Sequence, residues 1–355
     1  MKYSVLQTLV TIATLTTLAA CSTAPGAPAS AGRSGTPSQP PTSLTRTTQT
    51  TPQPSPSHTP SPAVTPTPVK PAGKASTMTI VNGGDILLHL SVNEAAKTRS
   101  GYDYTPYYTP ISQWIKGADL ALCALEIPIV RKDQQPSNYP QFGAPWDLAK
   151  SLKNIGFDGC ALATNHSMDR GFGGVESTID AFTQAGLGFA GTATSEKQAK
   201  DIQFYNYRSG GREVKIAHLS ATTLTNGIPI PKAHPYSWNV VGRLGKPVQT
   251  IIDDAKRARA LGADLVVVSM HWGTEYVSEP IAEQKDIAKQ LADSGGIDLV
   301  LGNHSHVPEP VAKLDGGVDG RGMWVVWVTR QPDFGANCGI SRTPRDNGSL
   351  DYRNG

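Results

Sequence analysis

The chain has 355 residues, of which 38% are hydrophobic and 17% charged, enough for a packed core in part of its length. Thirteen of the 28 prolines fall between residues 22 and 77, a skew that excludes one uniformly folded chain. The formal charge is +3, yet Lys2, Arg33, Arg46, Lys70 and Lys74 precede Met78 with no acid among them; the remainder is therefore at −2, which argues against a nucleic-acid binder.

Residues 1–21 read as a targeting signal. Met1-Lys2 is a short positive start, the run from Val5 to Ala20 is apolar or small, and Leu18-Ala19-Ala20-Cys21 resembles a bacterial lipobox, in which Cys21 takes a lipid and becomes the N-terminus. The alternative is a plain secretory signal in which Cys21 is incidental. The run is too short and too rich in threonine for a durable membrane-spanning helix. Residues 22–77 are expected to be a disordered Pro/Thr/Ser-rich tether of polyproline II and extended coil, able to hold the following domain on the order of 100 Å from a membrane. The expected location is the cell envelope, lipid-anchored on the extracytoplasmic face.

From residue 78 the pattern alternates. Apolar runs predict strands at 78–83, 119–125, 159–163, 202–207, 214–220, 264–270, 297–301 and 323–328. Amphipathic stretches at 145–155, 174–185, 247–261 and 279–294 predict helices. This is an α/β pattern with sheets covered on their faces. Cys123 and Cys160 both lie in strand-like runs; export permits a disulfide between them, and two reduced core thiols fit equally well.

Polar residues recur where these strands end. Asp85, Glu126, Asn165, His271, His304 and His306 each follow an apolar run beside small residues, at the edge where α/β sheets bind ligands. Imidazole, carboxylate and amide donors together suit zinc, manganese or iron better than calcium. A lone strand-end Asp or His is more often a cap or a hydrogen-bonded structural residue. Five strand ends in series are hard to treat as independent accidents.

Thr164-Asn165-His166-Ser167-Met168-Asp169-Arg170-Gly171, followed by Gly174, Thr178 and Ala185-Gly186-Leu187, resembles the long signature of CapA-type poly-γ-glutamate capsule-synthesis proteins. The domain of that family is related to calcineurin-like metallophosphoesterases. His271-Trp272-Gly273-Thr274-Glu275-Tyr276, with Pro280 and Gln284, is similar to a second signature, and Gly302-Asn303-His304-Ser305-His306-Val307 to a third. Gly84-Asp85 and Leu125-Glu126-Ile127-Pro128 resemble two shorter elements, so the likeness runs over about 78–328.

The resemblance implies a four-layer α/β sandwich of the metallophosphoesterase type. It implies two divalent ions (Mn, Zn or Fe) held by Asp85, Glu126, Asn165, His271, His304 and His306. His166 would meet the substrate or leaving group, and Asp169 would orient its imidazole; the plainer reading of Asp169-Arg170 is a helix cap and a surface charge. The implied partners are an anionic polymer or its precursor and the polymer-synthesis membrane proteins, with the membrane itself reached through the lipid. Two functions follow from different classes: a metal-dependent hydrolase or transferase, or a non-catalytic factor that binds and guides the polymer. A generic phosphoesterase ranks below both. Two departures stand out. Ala124 occupies a position where the family usually has Asn, and residues 329–355 replace the usual Ser-x-Gly-Asn-Phe block with a polar tail, as truncation or a frameshift would leave.

Overall fold

A computed structural model describes residues 77–209 and 211–329. Cys21, residues 22–76 of the expected tether and the tail beyond Thr329 lie outside the described residues.

Ten strands and six α-helices alternate in the described part. In chain order they are β1 (Ile80–Ile86), α1 (Leu90–Ala95), α2 (Ser112–Lys116), β2 (Leu120–Leu125), α3 (Asp147–Ile155), β3 (Gly159–Ala161), α4 (Gly171–Ala185), β4 (Gly188–Ala190), β5 (Gln203–Ser209), β6 (Arg212–Thr222), α5 (Gln249–Ala260), β7 (Leu265–His271), α6 (Ala282–Asp293), β8 (Leu299–Asn303), β9 (Val311–Leu314) and β10 (Met323–Val326). No helix among the described residues is long and apolar enough to cross a membrane.

The strands form two sheets. The first is parallel throughout, in the order β1-β2-β3-β4. The second runs β5-β6-β7-β8-β10-β9, parallel from β6 through β8 to β10 and antiparallel at both edges. Side chains alternate between faces along each strand, so the cores reveal the layering. Ala121, Cys123 and Leu125 of β2 pack with Leu148, Leu152 and Ile155 of α3 and with Val175, Ile179 and Phe182 of α4. Leu120 and Leu122 point the other way and meet Ile216, Val267 and Leu301 of the second sheet. Ala217, Val266, Val268 and Val300 cover the far face beneath Ile251, Ile252 and Ala255 of α5 and Ile287 and Leu291 of α6. The result is helix, sheet, sheet, helix: the four-layer α/β sandwich expected.

Several boundaries differ from expectation. Residues 83–84 looked like the end of a strand, but β1 continues to Ile86 and its register against β2 shifts between Asn82 and Asp85. The glycines mark a bulge, not a stop. Asp85 is therefore inside β1, and His271 is the last residue of β7. Helices α1 and α2 and strands β4 and β9 were not anticipated; each is six residues or shorter.

Cys123 and Cys160 are register partners on β2 and β3, with Cα atoms 4.4 Å apart, and their sulfurs are joined as a disulfide. That resolves the alternative in favour of the bridge.

Candidate metal centre

Parallel strands deliver their C-terminal ends to one side of each sheet, and the six predicted ligands gather there. Asp85 comes from β1, Glu126 follows β2, Asn165 follows β3, His271 closes β7, and His304 and His306 follow β8. All but His306 are at most 5% exposed. The geometry connects every one of them. His271 Nδ1 lies 3.6 Å from Asp85 Oδ1, and its Nε2 lies 3.8 Å from Glu126 Oε1. His306 reaches the same two carboxylates at 3.7 and 3.8 Å. Asn165 Oδ1 is 2.9 Å from His271 Nε2, and the His271 and His304 ring centroids are 4.8 Å apart. Ligand atoms of Glu126, His304 and His306 all lie within 4.8 Å of one another.

The backbone is bent to make this possible. His304 has φ of 102° and His306 of 59°, a region costly for residues with a Cβ. The loop is fixed from outside by the His304 N–H, which donates to Asp85 Oδ2 at 2.8 Å, and by the Tyr276 N–H, which donates to the Ser305 carbonyl at 2.7 Å. Gly302 is needed just before it, since an added Cβ would fall onto the Trp327 carbonyl oxygen. Gln284 of α6 is buried beneath Gly273, accepting from the Ile281 N–H and donating to Glu309, each at 2.8 Å.

Whether these residues fit a cation can be judged from their own partners. Asp85 Oδ1, both Glu126 carboxylate oxygens, His271 Nδ1 and His304 Nδ1 are buried with no hydrogen-bond partner. Native proteins rarely leave such atoms unsatisfied. The 3.6–3.8 Å separations are too long for hydrogen bonds. They are close to the roughly 3–4 Å expected between two donors each about 2.1 Å from a shared ion.

Electrostatics agree. Burial pushes the Asp85 carboxyl up to about 7, partly offset by the His304 N–H. Burial, with the Asp85 charge added, raises Glu126 well above the usual carboxylate range. Burial lowers His271 well below the ordinary imidazole value and lowers His304 to about 3, the neighbouring histidines adding to both. Carboxylates that resist charging alone and imidazoles that stay neutral are what a divalent cation would relieve.

His166 and Asp169 sit beside the cluster. His166 Nδ1 is 2.7 Å from Asp169 Oδ2, and that oxygen also accepts from the Phe142 N–H at 2.8 Å. Helix α4 starts at Gly171 with Arg170 in the cap position and no side-chain cap, so Asp169 is spent on His166 and Phe142. The Phe142 ring meets His166 edge-on at 5.0 Å and His89 at 5.4 Å.

Asn226 was not anticipated. It has φ of 49°, its Oδ1 accepts from Asn165 Nδ2 at 3.3 Å, and its Nδ2 lies 3.3 Å from His166 Nε2. It lies 60 residues from His166 in sequence, and its only local signal was the Asn226-Gly227 turn pair.

Residues 79–327 match the bacterial capsule synthesis protein family PGA_cap. The chain belongs to that family. Among relatives, the capsule biosynthesis protein CapA of Bacillus anthracis is 32% identical over 238 residues, covering 65% of this chain and 54% of that protein. The PGA biosynthesis protein CapA of Bacillus subtilis is 29% identical over 241 residues, covering 66% and 59% respectively. The matched region thus spans little more than half the length of these relatives. Among solved structures, the sulfate thiohydrolase SoxB of Thermus thermophilus aligns at 15% identity with a TM-score of 0.34, covering 60% of this chain and 34% of that one.

Proposed function

We propose that this PGA_cap member acts in the synthesis, export or processing of an anionic capsule or wall polymer of the poly-γ-glutamate type, through a metal-dependent hydrolytic or transfer site. Membership of the family and the names of the CapA relatives support the polymer. The observation that carries the chemistry is the set of orphaned buried donors on Asp85, Glu126, His271 and His304. With Asn165 and His306 they would hold the cation or cation pair, whose chemistry when bound is to polarise an acyl or phosphoryl oxygen and to lower the pKa of bound water.

The chain's own residues divide the remaining work. Asp169 accepts the Nδ1 proton of His166, which fixes the tautomer and leaves Nε2 as the atom to exchange a proton with a leaving group. Phe142 holds both: its N–H anchors Asp169 and its ring restrains the imidazole. Asn226 bridges Asn165 and His166, so the ligand side and the proton-transfer side keep a set spacing.

The protein is further proposed to sit on the extracytoplasmic face, held by a lipid on Cys21, with the polymer or its precursor and membrane-bound synthesis proteins as partners. A hydrolysis screen of the metal-loaded protein on γ-linked glutamate oligomers and on phosphodiesters tests the reading. Turnover of the former that falls on His166→Ala supports it. Polymer binding unchanged by His304→Ala, with no turnover, would favour the guiding factor instead.

A further inference from the structure

A cavity of about 690 Å³ lies apart from the metal centre, between the end of β4, the middle of β6 and the first turns of α5. None of the six clustered residues lines it. His218, on its floor, is four positions before Thr222, the register partner of His271, which separates the two sites by about 13 Å along β6. The volume falls within the roughly 300–1,000 Å³ of small-molecule sites.

The lining is unusual in what it leaves unpaired. His218, Ser220 and Thr192 are 0%, 4% and 9% exposed, and His218 Nδ1, Ser220 Oγ and Thr192 Oγ1 have no hydrogen-bond partner. His218 Nε2 is already engaged with Ser269 Oγ at 2.9 Å, and burial holds the imidazole down at about 4, so it is neutral. Gly191 makes room beside them: its φ is 104°, and a Cβ there would come within 2.7 Å of Ser220 Oγ. A serine or threonine redirects its hydroxyl by rotation about χ1 alone.

Charge is confined to the outside. Glu196, Lys200, Asp201 and Asp253 are exposed, Lys246 and Asp254 are half-buried, and four acids against two lysines disfavour an anion. Half-buried Phe189 and Tyr236 supply flat apolar faces, and Asn239 adds an amide whose Nδ2 already donates to the Ser220 carbonyl at 2.8 Å.

We propose that this cavity is a second ligand site, for a neutral, hydroxyl-rich molecule of the saccharide class. Hydroxyls both donate and accept, so they can satisfy an imidazole nitrogen and two side-chain hydroxyls at once. A charged group at the same floor would be desolvated with no counter-charge. The aromatic faces suit the apolar faces of a sugar ring.

The test is saturation-transfer NMR on the full chain with N-acetylglucosamine and glucose as probes, repeated with a chelator present. Saturable binding that survives chelation is expected, weakened roughly tenfold by Tyr236→Ala and by Thr192→Val, which keeps the side-chain shape and removes only the hydroxyl. Melting temperatures of both variants near the parent's exclude misfolding as the cause. The proposal is overturned by no saturable binding of either sugar, by binding equal in both variants, or by binding lost with the metal. It is equally overturned if L-glutamate displaces the sugars from the cavity, or if a sugar-soaked crystal holds only water there.

Discussion

The backbone N–H of His304 donates to Asp85 Oδ2 at 2.8 Å, joining positions 219 residues apart. One carboxylate oxygen thus fixes the loop that carries two histidines, while the other, Oδ1, is buried without a hydrogen-bond partner and lies 3.6 Å from His271. Asp85 is both strut and candidate ligand. A change there is expected to damage loop geometry and metal affinity together: Asp85→Asn keeps one oxygen and part of the strut, whereas Asp85→Ala loses both. Thermal melts with and without Mn²⁺ should therefore rank the parent above Asp85→Asn and that above Asp85→Ala. Equal metal-induced shifts in all three would remove Asp85 from the ligand set.

Metal should stabilise this protein more as pH rises. Asp85 goes from 3.8 to about 7 on folding, so without metal the folded protein keeps a proton that the unfolded chain releases. The contribution of Asp85 to metal-free stability therefore falls as pH climbs through that window. A bound cation takes the proton's place. The histidines held neutral in the folded protein do not enter this gain, which depends on the protons the cation displaces from the folded state. The gain in Tm on adding metal is expected to be larger near pH 8 than near pH 6.5, and a gain that shrinks with pH would contradict this.

His166→Ala should leave metal content nearly unchanged and cut turnover by about 10²–10⁴-fold, the usual range for a general acid or base. Asp169→Asn should lower turnover less severely while shifting its pH profile, since the 2.7 Å contact to Nδ1 would lose its charge. Loss of metal from His166→Ala would move His166 into the ligand set.

His218 predicts a separate acid sensitivity. Burial lowers it from 6.5 to about 4, so as pH falls between those values the unfolded chain takes up a proton that the folded protein refuses. Stability should be lost across that window, by up to roughly 3 kcal/mol from this group alone. His218→Gln should flatten that part of the pH–stability curve relative to the parent; parallel curves would contradict the assignment.

The proposed membrane anchor has its own test. Cys21→Ser is expected to release the protein from membranes into the soluble fraction, and a variant retained as firmly as the parent would contradict the lipid.

Much of the fold was legible because parallel strands buried on both faces read as unbroken apolar runs, as Val266-Val267-Val268 does. What escaped was short. Three residues of β4 and four of β9 carry no period, and α1 and α2 are under two turns. Gly83-Gly84 misled because glycine signals both a chain break and a bulge, and only pairing with β2 separates them. At the site, residues at strand ends were readable because topology brings those ends together. Asn226 was not, because its contacts with Asn165 and His166 arise from a loop that only tertiary structure places. Phe142 was hidden for another reason: its contribution to Asp169 is a backbone N–H, which any residue type could supply.

The most direct test of the metal centre is elemental analysis of the purified full chain beside His304→Ala and His166→Ala. One to two transition-metal equivalents in the parent and in His166→Ala, with a clear loss in His304→Ala, is the expected result. A parent that binds no metal when dialysed against Mn²⁺, Zn²⁺ or Fe²⁺, or a His304→Ala that binds as much as the parent, would contradict it.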